Sequence, residues 1–461
     1  MVRIAVVVIV LSVWGCSQDA ESDTGDADTL PEVDTLTEVE AATDTEPTPE
    51  VVPPDDVRDV APETAVADSA DTNDVAPDTT ATTEVAEDTA AVEDTTLEVE
   101  VLPEPDVDGD GWRVSDGDCC DSVLACSEPA MVNPGAFEIL GNGVDDDCDP
   151  TTPDDRAPAD CGPGPLTTPT TALDLANALE LCQSASESDR RWGVLEASVT
   201  LADGTSRPLD LQLGVLSAYG PNVLPQRGAT LAALGTGTAR DANDPGFVPP
   251  QSGPGEGQTG SFDAQTESGL PAAWAAANGG VIEGCAPCVG AACARAFDSV
   301  SLNLRLRVPT NAQSFSYRLK YYTSEYPELV CAGLNDQALT LLEGGPADVP
   351  ADTNIAVDEM KTAMSVNNQY LDVCFPPSGS PPGVCDAGTL ELIGTGMGGF
   401  DGSIKDGAGT PWLTNEAPVT PGSIITLRFV IFDAGDHNVD SLLLLDRFRW
   451  SAAPAAVALR P

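Results

Sequence analysis

Between residues 106 and 149 the chain sets Asp106, Asp108, Asp110, Asp116, Asp118 and Asp121 against Asp145, Asp147 and Asp149. So many carboxylates in so short a span repel one another and cannot pack without a counter-charge. A hard divalent cation takes roughly six to eight oxygens, and Asp at alternate positions with Gly109 and Gly111 between them makes a loop that wraps one. The stretch reads as a metal-binding module, with Ca²⁺ favoured over Mg²⁺ or copper on ligand hardness. An EF-hand loop would place an acid twelfth from Asp106, but Gly117 stands there, so the loop is not an EF-hand proper.

The charge is unevenly spread over the 461 residues, whose formal net charge is −55. Residues 17–105 carry 28 acids and the single base Arg58, whereas the 301 residues after 160 carry 32 acids and 16 bases, an ordinary globular balance. Such a field repels nucleic acid and anionic headgroups, so no nucleic-acid partner is expected. Residues 17–105 recycle Asp, Glu, Thr, Ala, Val and Pro without an aromatic residue. They cannot bury enough apolar surface to offset chain entropy, which predicts a disordered acidic stalk.

Ahead of the stalk, Met1, Val2 and Arg3 form a short basic region, and residues 4–13 an apolar run too short to span a bilayer. Val13-Trp14-Gly15-Cys16 follows and resembles a bacterial lipobox. The resemblance implies that 1–16 is a signal peptide and that Cys16 is lipidated, tethering the chain to a membrane through an N-terminal lipid. An ordinary secretory signal is the alternative. Either predicts an extracytoplasmic location, in the first case the outer membrane or cell surface of a Gram-negative bacterium. The other cysteines, Cys119, Cys120, Cys126, Cys148, Cys161, Cys182, Cys285, Cys288, Cys293, Cys331, Cys374 and Cys385, are even in number and are disulfide candidates in an oxidising compartment. Cys285, Cys288 and Cys293 have metal-ligand spacing, but zinc would need a fourth ligand and no histidine lies near, so disulfides are favoured there too.

The remaining chain divides into the module at 106–150, a hinge, short helix and loop-rich extension at 151–255, a β domain at 256–452 and a tail at 453–461. Leu175, Leu179 and Cys182 share a helical face within 171–184, and 191–201 alternates as a strand. Turn residues dominate 208–254, which predicts loops docked on the next domain. From residue 261 the pattern is strongly β. Val300, Leu302, Leu304, Leu306 and Val308 alternate with polar residues, as do Phe315, Tyr317, Leu319 and Tyr321, each set predicting a strand with one wet face. Residues 423–432 and 442–450 are apolar at nearly every position, as strands buried on both faces are. With 338–342 and 389–393 added, the expectation is a mostly β fold, an antiparallel β-sandwich of jelly-roll character.

Two stretches resemble known families. Asp106-Val-Asp-Gly-Asp-Gly-Trp112, Asp116-Gly-Asp-Cys-Cys-Asp121, Asn133-Pro-Gly-Ala-Phe-Glu138 and Gly141-Asn-Gly-Val-Asp-Asp-Asp-Cys-Asp149 resemble the MopE-type metal-binding motif of bacterial surface proteins. Ile139 or Leu140 stands where that family often has a Cys, and Cys120 and Cys126 suggest a local bridge in its place. The motif implies a structural cation clamped by both ends and a disulfide from Cys119 or Cys120 to Cys148. Tyr322-Thr-Ser-Glu-Tyr-Pro-Glu328, Leu334-Asn-Asp-Gln337, Asn354-Ile-Ala356, Ser365-Val-Asn-Asn368 and Asp433-Ala-Gly-Asp-His-Asn-Val-Asp-Ser441 resemble a choice-of-anchor L domain over about 256–452. That family implies a cell-surface β domain and supplies no activity.

Catalytic chemistry is restricted by a single histidine, His437. A His-ligated catalytic zinc is strongly disfavoured because such sites use two or three histidines, and a lone His in a Gly/Asp turn is ordinarily a solvated loop residue. Glu325, Asp336, Asp433, Asp436 and Asp440 lie near predicted strand ends, and three of them crowd one turn. They form a candidate second cation set, with plain turn formers as the alternative. Tyr322, Tyr326 and Trp412 are candidates for stacking on a sugar or for core packing. The sequence therefore predicts a lipid-anchored, calcium-binding envelope protein, not an enzyme, that displays a β-sandwich to a surface glycan or protein. A carboxylate-dependent polysaccharide-acting enzyme and a purely structural envelope component are the alternatives. Separate cores for module and sandwich predict separate unfolding transitions.

Overall fold

Alternating and continuous apolar runs both become antiparallel strands in the structure, a computed structural model that describes residues 104–152, 154, 161–162, 164–165, 170–250, 262–280, 282, 294–398 and 405–461. Cys16, the stalk up to residue 103, and Cys285, Cys288 and Cys293 lie outside the described residues. The strands are β1 (Gly193–Thr200), β2 (Leu213–Leu216), β3 (Leu231–Gly235), β4 (Glu267–Gly269), β5 (Arg295–Arg307), β6 (Ser314–Thr323) and β7 (Gln337–Glu343), then β8 (Val373–Cys374), β9 (Ala408–Gly409), β10 (Leu413–Pro418), β11 (Ile424–Asp433), β12 (Ser441–Ser451) and β13 (Ala458–Arg460). One sheet runs β1-β5-β11-β7 with β4 also on β5; the other runs β13-β10-β6-β12-β3-β2 with β9 on β6 and β8 on β9. The result is a two-sheet, sandwich-like arrangement.

Leu302, Leu304 and Leu306 of β5 and Leu427, Phe429 and Ile431 of β11 meet Phe315, Tyr317, Leu319 and Tyr321 of β6 and Leu443 and Leu445 of β12 in one core. Rings cross between the sheets, with Tyr317 edge-on to Phe429 at 5.1 Å. In register, Leu304 faces Leu427 and Leu443 faces Tyr321, so the apolar period of each strand points the same way as its neighbour's.

The segment at 151–255 contributes more than the helix, strand and loops expected of it. Helix α1 (Ala172–Ala178) starts at a capping box, in which Asp174 N donates to Thr171 Oγ1 and Thr171 N to Asp174 Oδ2, and it buries Leu175 in the core. Strand β1 pairs with β5, and β2 and β3 extend the other sheet from β12. The 389–393 stretch, expected as a strand, instead contains a short 3-10 turn, Leu390–Leu392. It lies against the outer face of β6, which is therefore not uniformly wet. Lys320 there is 0% exposed, pairs with Glu391 and donates to Thr410 O at 2.5 Å.

Four disulfides join described residues: Cys119–Cys148, Cys120–Cys126, Cys161–Cys182 and Cys374–Cys385. Cys119 is thus the partner of Cys148, and Cys120 closes the local bridge. Among the described residues no helix is long and apolar enough to cross a membrane.

The Asp-rich module lies against the sandwich. Phe137 packs on the main core, while its backbone N donates to Asn311 Oδ1 (3.0 Å) and its carbonyl accepts from Asn311 Nδ2 (2.9 Å). Trp192 Nε1 donates to Ala136 O at 2.8 Å, and Arg190 stacks over Trp112 with its guanidinium carbon 3.9 Å from the ring centre. Phe137 thus brings one module side chain onto the sandwich core, a contact that the expectation of two separate cores did not include.

Candidate metal centre

The loop from Asp106 to Asp121 is bent by its own carboxylates. Gly109 and Gly111 adopt φ of 81° and 93°, a region that side chains rarely enter, and their amides point inward to Asp106 Oδ1 (2.7 Å) and Oδ2 (2.9 Å). Asp110 N donates to Asp108 Oδ1 (3.1 Å), Trp112 N to Asp110 Oδ1 (2.7 Å), Cys120 N to Asp118 Oδ1 (2.8 Å) and Val107 N to Asp121 Oδ1 (2.6 Å). The carboxylates consequently converge into two groups, Asp106 with Asp108 and Asp121, and Asp108 with Asp110 and Asp118. Within each group the ligand atoms lie within 4.8 Å of one another, and Asp108 belongs to both.

A third group, Glu138 with Asp145 and Asp147, forms inside the loop closed by the Cys119–Cys148 bridge. Glu138 Oε1 accepts from Asp146 N (2.8 Å) and Asp147 N (3.1 Å). One pattern recurs across the groups. Asp108, Asp118 and Glu138 each engage one oxygen with a backbone amide and leave the other, Asp108 Oδ2, Asp118 Oδ2 and Glu138 Oε2, buried without a hydrogen-bond donor. Such an oxygen is costly to bury unless a cation or water meets it.

Burial pushes the Asp110 carboxyl up to about 6 and the Glu138 carboxyl up to about 7. Asp108, Asp118 and Asp145 are also raised, through burial first and neighbouring carboxylates second. These five carboxyls hold protons more tightly than ordinary carboxylates do. A bound divalent ion reverses that preference.

Asp116 and Asp149 do not join these groups. Asp116 pairs with Arg190 at 3.0 Å, and Asp149 Oδ1 is taken by Thr151 N (3.0 Å) and Thr151 Oγ1 (2.7 Å). Two participants were not assigned from the sequence. Glu138 closes the third group, and Asn133 holds the second, donating from Nδ2 to Asp110 Oδ2 at 2.7 Å. Both lie in the Asn-Pro-Gly-Ala-Phe-Glu segment, so the signal was present in the residues that separate the two acid clusters.

The second predicted set lies at one end of the sandwich, but among the described residues no three of its carboxylates bring ligand atoms within 4.8 Å of one another, as those of the module do. Asp433 closes β11, Asp440 and Asp336 immediately precede β12 and β7, and Glu325 follows β6; all four are buried. Asp436 is not buried, although its charge acts on Asp336 and Glu325. Asp298 of β5, not singled out in the sequence, is buried among them. Its partner is His437, whose Nδ1 lies 3.1 Å from Asp298 Oδ1 and 3.6 Å from Asp263 Oδ1. His437 is therefore a partly buried carboxylate neighbour, its ring edge-on to Phe297 at 4.7 Å, instead of a solvated loop residue. Tyr322 and Tyr326 are buried and Trp412 packs on a core cluster, so these rings serve packing.

Comparison with protein-family models, with curated proteins and with solved structures gives no match for this chain.

Proposed function

We propose that this chain is a lipid-anchored, calcium-binding protein of the bacterial cell envelope that displays a jelly-roll-like sandwich for binding or adhesion. The observation that carries the calcium reading is the shared pose of Asp108, Asp118 and Glu138. Amides fix each carboxylate through one oxygen, and the second oxygen is buried without a donor. An all-oxygen donor set of mixed carboxylates suits a hard cation, and the irregular spacing of the three groups suits the flexible coordination of Ca²⁺ over the strict octahedron of Mg²⁺.

The surface location rests on the lipobox-like Gly15-Cys16, the acidic stalk and the resemblance to two families of bacterial surface proteins. A long charged spacer between lipid and domain is useful where the domain must stand off from the membrane. Burial of Glu325 and Asp336 weighs against their acting on a polysaccharide, because a polymer has to reach the acids that cleave it.

Thermal unfolding of the full chain tests the metal reading. Saturating Ca²⁺ is expected to raise the melting temperature relative to chelator, with Mg²⁺ less effective. Identical melts in Ca²⁺ and chelator overturn it. Cys16→Ala is expected to release the protein from the membrane fraction, and absence of fatty-acid labelling in the wild type overturns the anchor. Retention on cell-wall glycan without new reducing ends is the expected signature of binding; release of reducing ends, lost in Glu325→Gln or Asp436→Asn, would instead favour the enzyme.

A further inference from the structure

The end of the sandwich where Asp298, Asp336, Asp433 and Asp440 meet carries a charge problem independent of the Asp-rich module. Asp433 is 0% exposed and Asp440 2%, and all four of their carboxylate oxygens are buried without a hydrogen-bond donor in bonding geometry. Thr236 is the hydroxyl that eases Asp433, whereas Tyr219 and Thr238 line the cavity beside Asp440 without a recorded hydrogen bond to its carboxylate. The surrounding acids are already committed. Asp336 accepts from Ser441 Oγ (2.7 Å), and Asp298 accepts from Thr266 N (2.8 Å) and Ala264 N (3.2 Å), with His437 Nδ1 3.1 Å from its Oδ1. Among the described residues no Lys or Arg forms an ion pair with Asp336, Asp433 or Asp440. Arg240 lines a small cavity with Asp440, yet it directs Nη1 to the carbonyls of Leu213 (2.7 Å) and Ala239 (2.6 Å).

The backbone is shaped around this arrangement. A Cβ at Gly237 would overlap the Asp440 carboxylate and lie 2.8 Å from Asp440 Cβ, so the carboxylate is packed directly on the chain that follows β3. Asp433 ends a strand of one sheet, and Asp440 leads into a strand of the other.

We infer that Asp433 and Asp440 ligate a second hard divalent cation, Ca²⁺ by preference, which clamps the two sheets together at this end of the sandwich. The donors are anionic oxygens, and Asp336 and Asp298 add negative potential that attracts the ion. Burial first and the charge of Asp336 second hold Asp433 and Asp440 above the ordinary carboxylate range, and a cation would favour their ionised form.

The test uses the full chain in three forms: wild type, a module variant (Asp108→Asn, Asp118→Asn, Glu138→Gln), and that variant carrying Asp440→Asn. Calcium per chain is counted by atomic emission after dialysis, and melting is compared in Ca²⁺ and in chelator. The module variant is expected to keep bound calcium and a Ca²⁺-dependent rise of about 3–6 °C. Adding Asp440→Asn is expected to remove both; Asp433→Asn replaces it if that protein does not fold. A module variant that binds no calcium overturns the inference. So does an Asp440→Asn change that shifts melting equally in Ca²⁺ and in chelator, the behaviour of a buried neutral acid. Loss of calcium between wild type and module variant reports separately on the module.

Discussion

Asn133 Nδ2 donates to Asp110 Oδ2 at 2.7 Å while the same side chain's Oδ1 accepts from Gly135 N at 2.9 Å and from the Thr310 hydroxyl at 2.7 Å. One buried amide thus joins the acid loop, the Asn-Pro-Gly turn and the sandwich. Asn133→Ala leaves Asp110 and Thr310 without this partner and is expected to cost about 1–3 kcal/mol and to weaken calcium binding. Thr310→Val removes only the hydroxyl and is expected to cost less. Denaturant unfolding and calorimetric Ca²⁺ titration of both variants check the order.

Phe137 couples module and sandwich through the core. Scanning calorimetry in chelator is expected to show one transition shifted downward, in place of the two that separate cores would give. Phe137→Ala is expected to cost about 1–3 kcal/mol, below the usual range for a fully buried ring because Phe137 is only partly buried. If chelator splits the wild-type endotherm in two, the Phe137 contact does not couple the two parts.

Asp446 gives a pH dependence with a definite sign. Burial pushes its carboxyl from 3.8 up to about 7, against the hydrogen bonds it accepts from Gln226 N and Arg227 N. Arg318 faces it across the β6–β12 register, Arg447 follows it in the chain, and Glu180, paired with Arg227, adds negative charge. The folded state therefore binds a proton that the unfolded state has released between pH 3.8 and about 7. Its contribution is greatest below 3.8, falls as pH rises through that window and is gone above about 7. Asp446→Asn keeps the acceptor oxygen and is expected to be the more stable protein at pH 8, with a smaller loss of stability between pH 5 and 8. Melting curves of both proteins across that range, in chelator, decide it; parallel curves mean that Asp446 does not titrate there.

Gly237→Ala is expected to be disruptive out of proportion to one methyl group, because the new Cβ meets the Asp440 side chain. A cost of roughly 2 kcal/mol or more and loss of the sandwich's calcium response are the expected outcomes. Urea titration in Ca²⁺ and in chelator measures both, and an unchanged midpoint means that the Asp440 side chain is not packed on Gly237.

The long strands were legible because their periods are unambiguous: alternation in β5 and β6, and continuous apolar runs in β11 and β12. Strands β2 and β3 were not, since Leu-Gly-Val-Leu and Leu-Ala-Ala-Leu-Gly are too short and uniform to show a period between turn-rich neighbours. What makes them strands is pairing, of β3 with β12 and of β2 with β3. Leu-Glu-Leu at 390–392 carries the alternation of a strand but sits in a 3-10 turn, with Glu391 turned to Lys320. In the acid module, the convergence of Asp106, Asp108, Asp110, Asp118 and Asp121 followed from spacing alone. The diversion of Asp116 to Arg190 did not, because its partner lies 74 residues away in sequence.

The Cys119–Cys148 bridge also gives the molecule a mechanical character. Once the contacts of Asn133, Ala136 and Phe137 with the sandwich give way, tension entering from residue 104 crosses from sulfur to sulfur, so the loop between them, with a sequence separation of 29, is spared extension. Asp106, Asp108, Asp110 and Asp118 precede the bridge and stand in the load path. Glu138, Asp145 and Asp147 lie inside the shielded loop. A pull would therefore draw Asp106 and Asp108 away from Asp121, which lies inside the loop, while the third group keeps its geometry, so the module yields in stages.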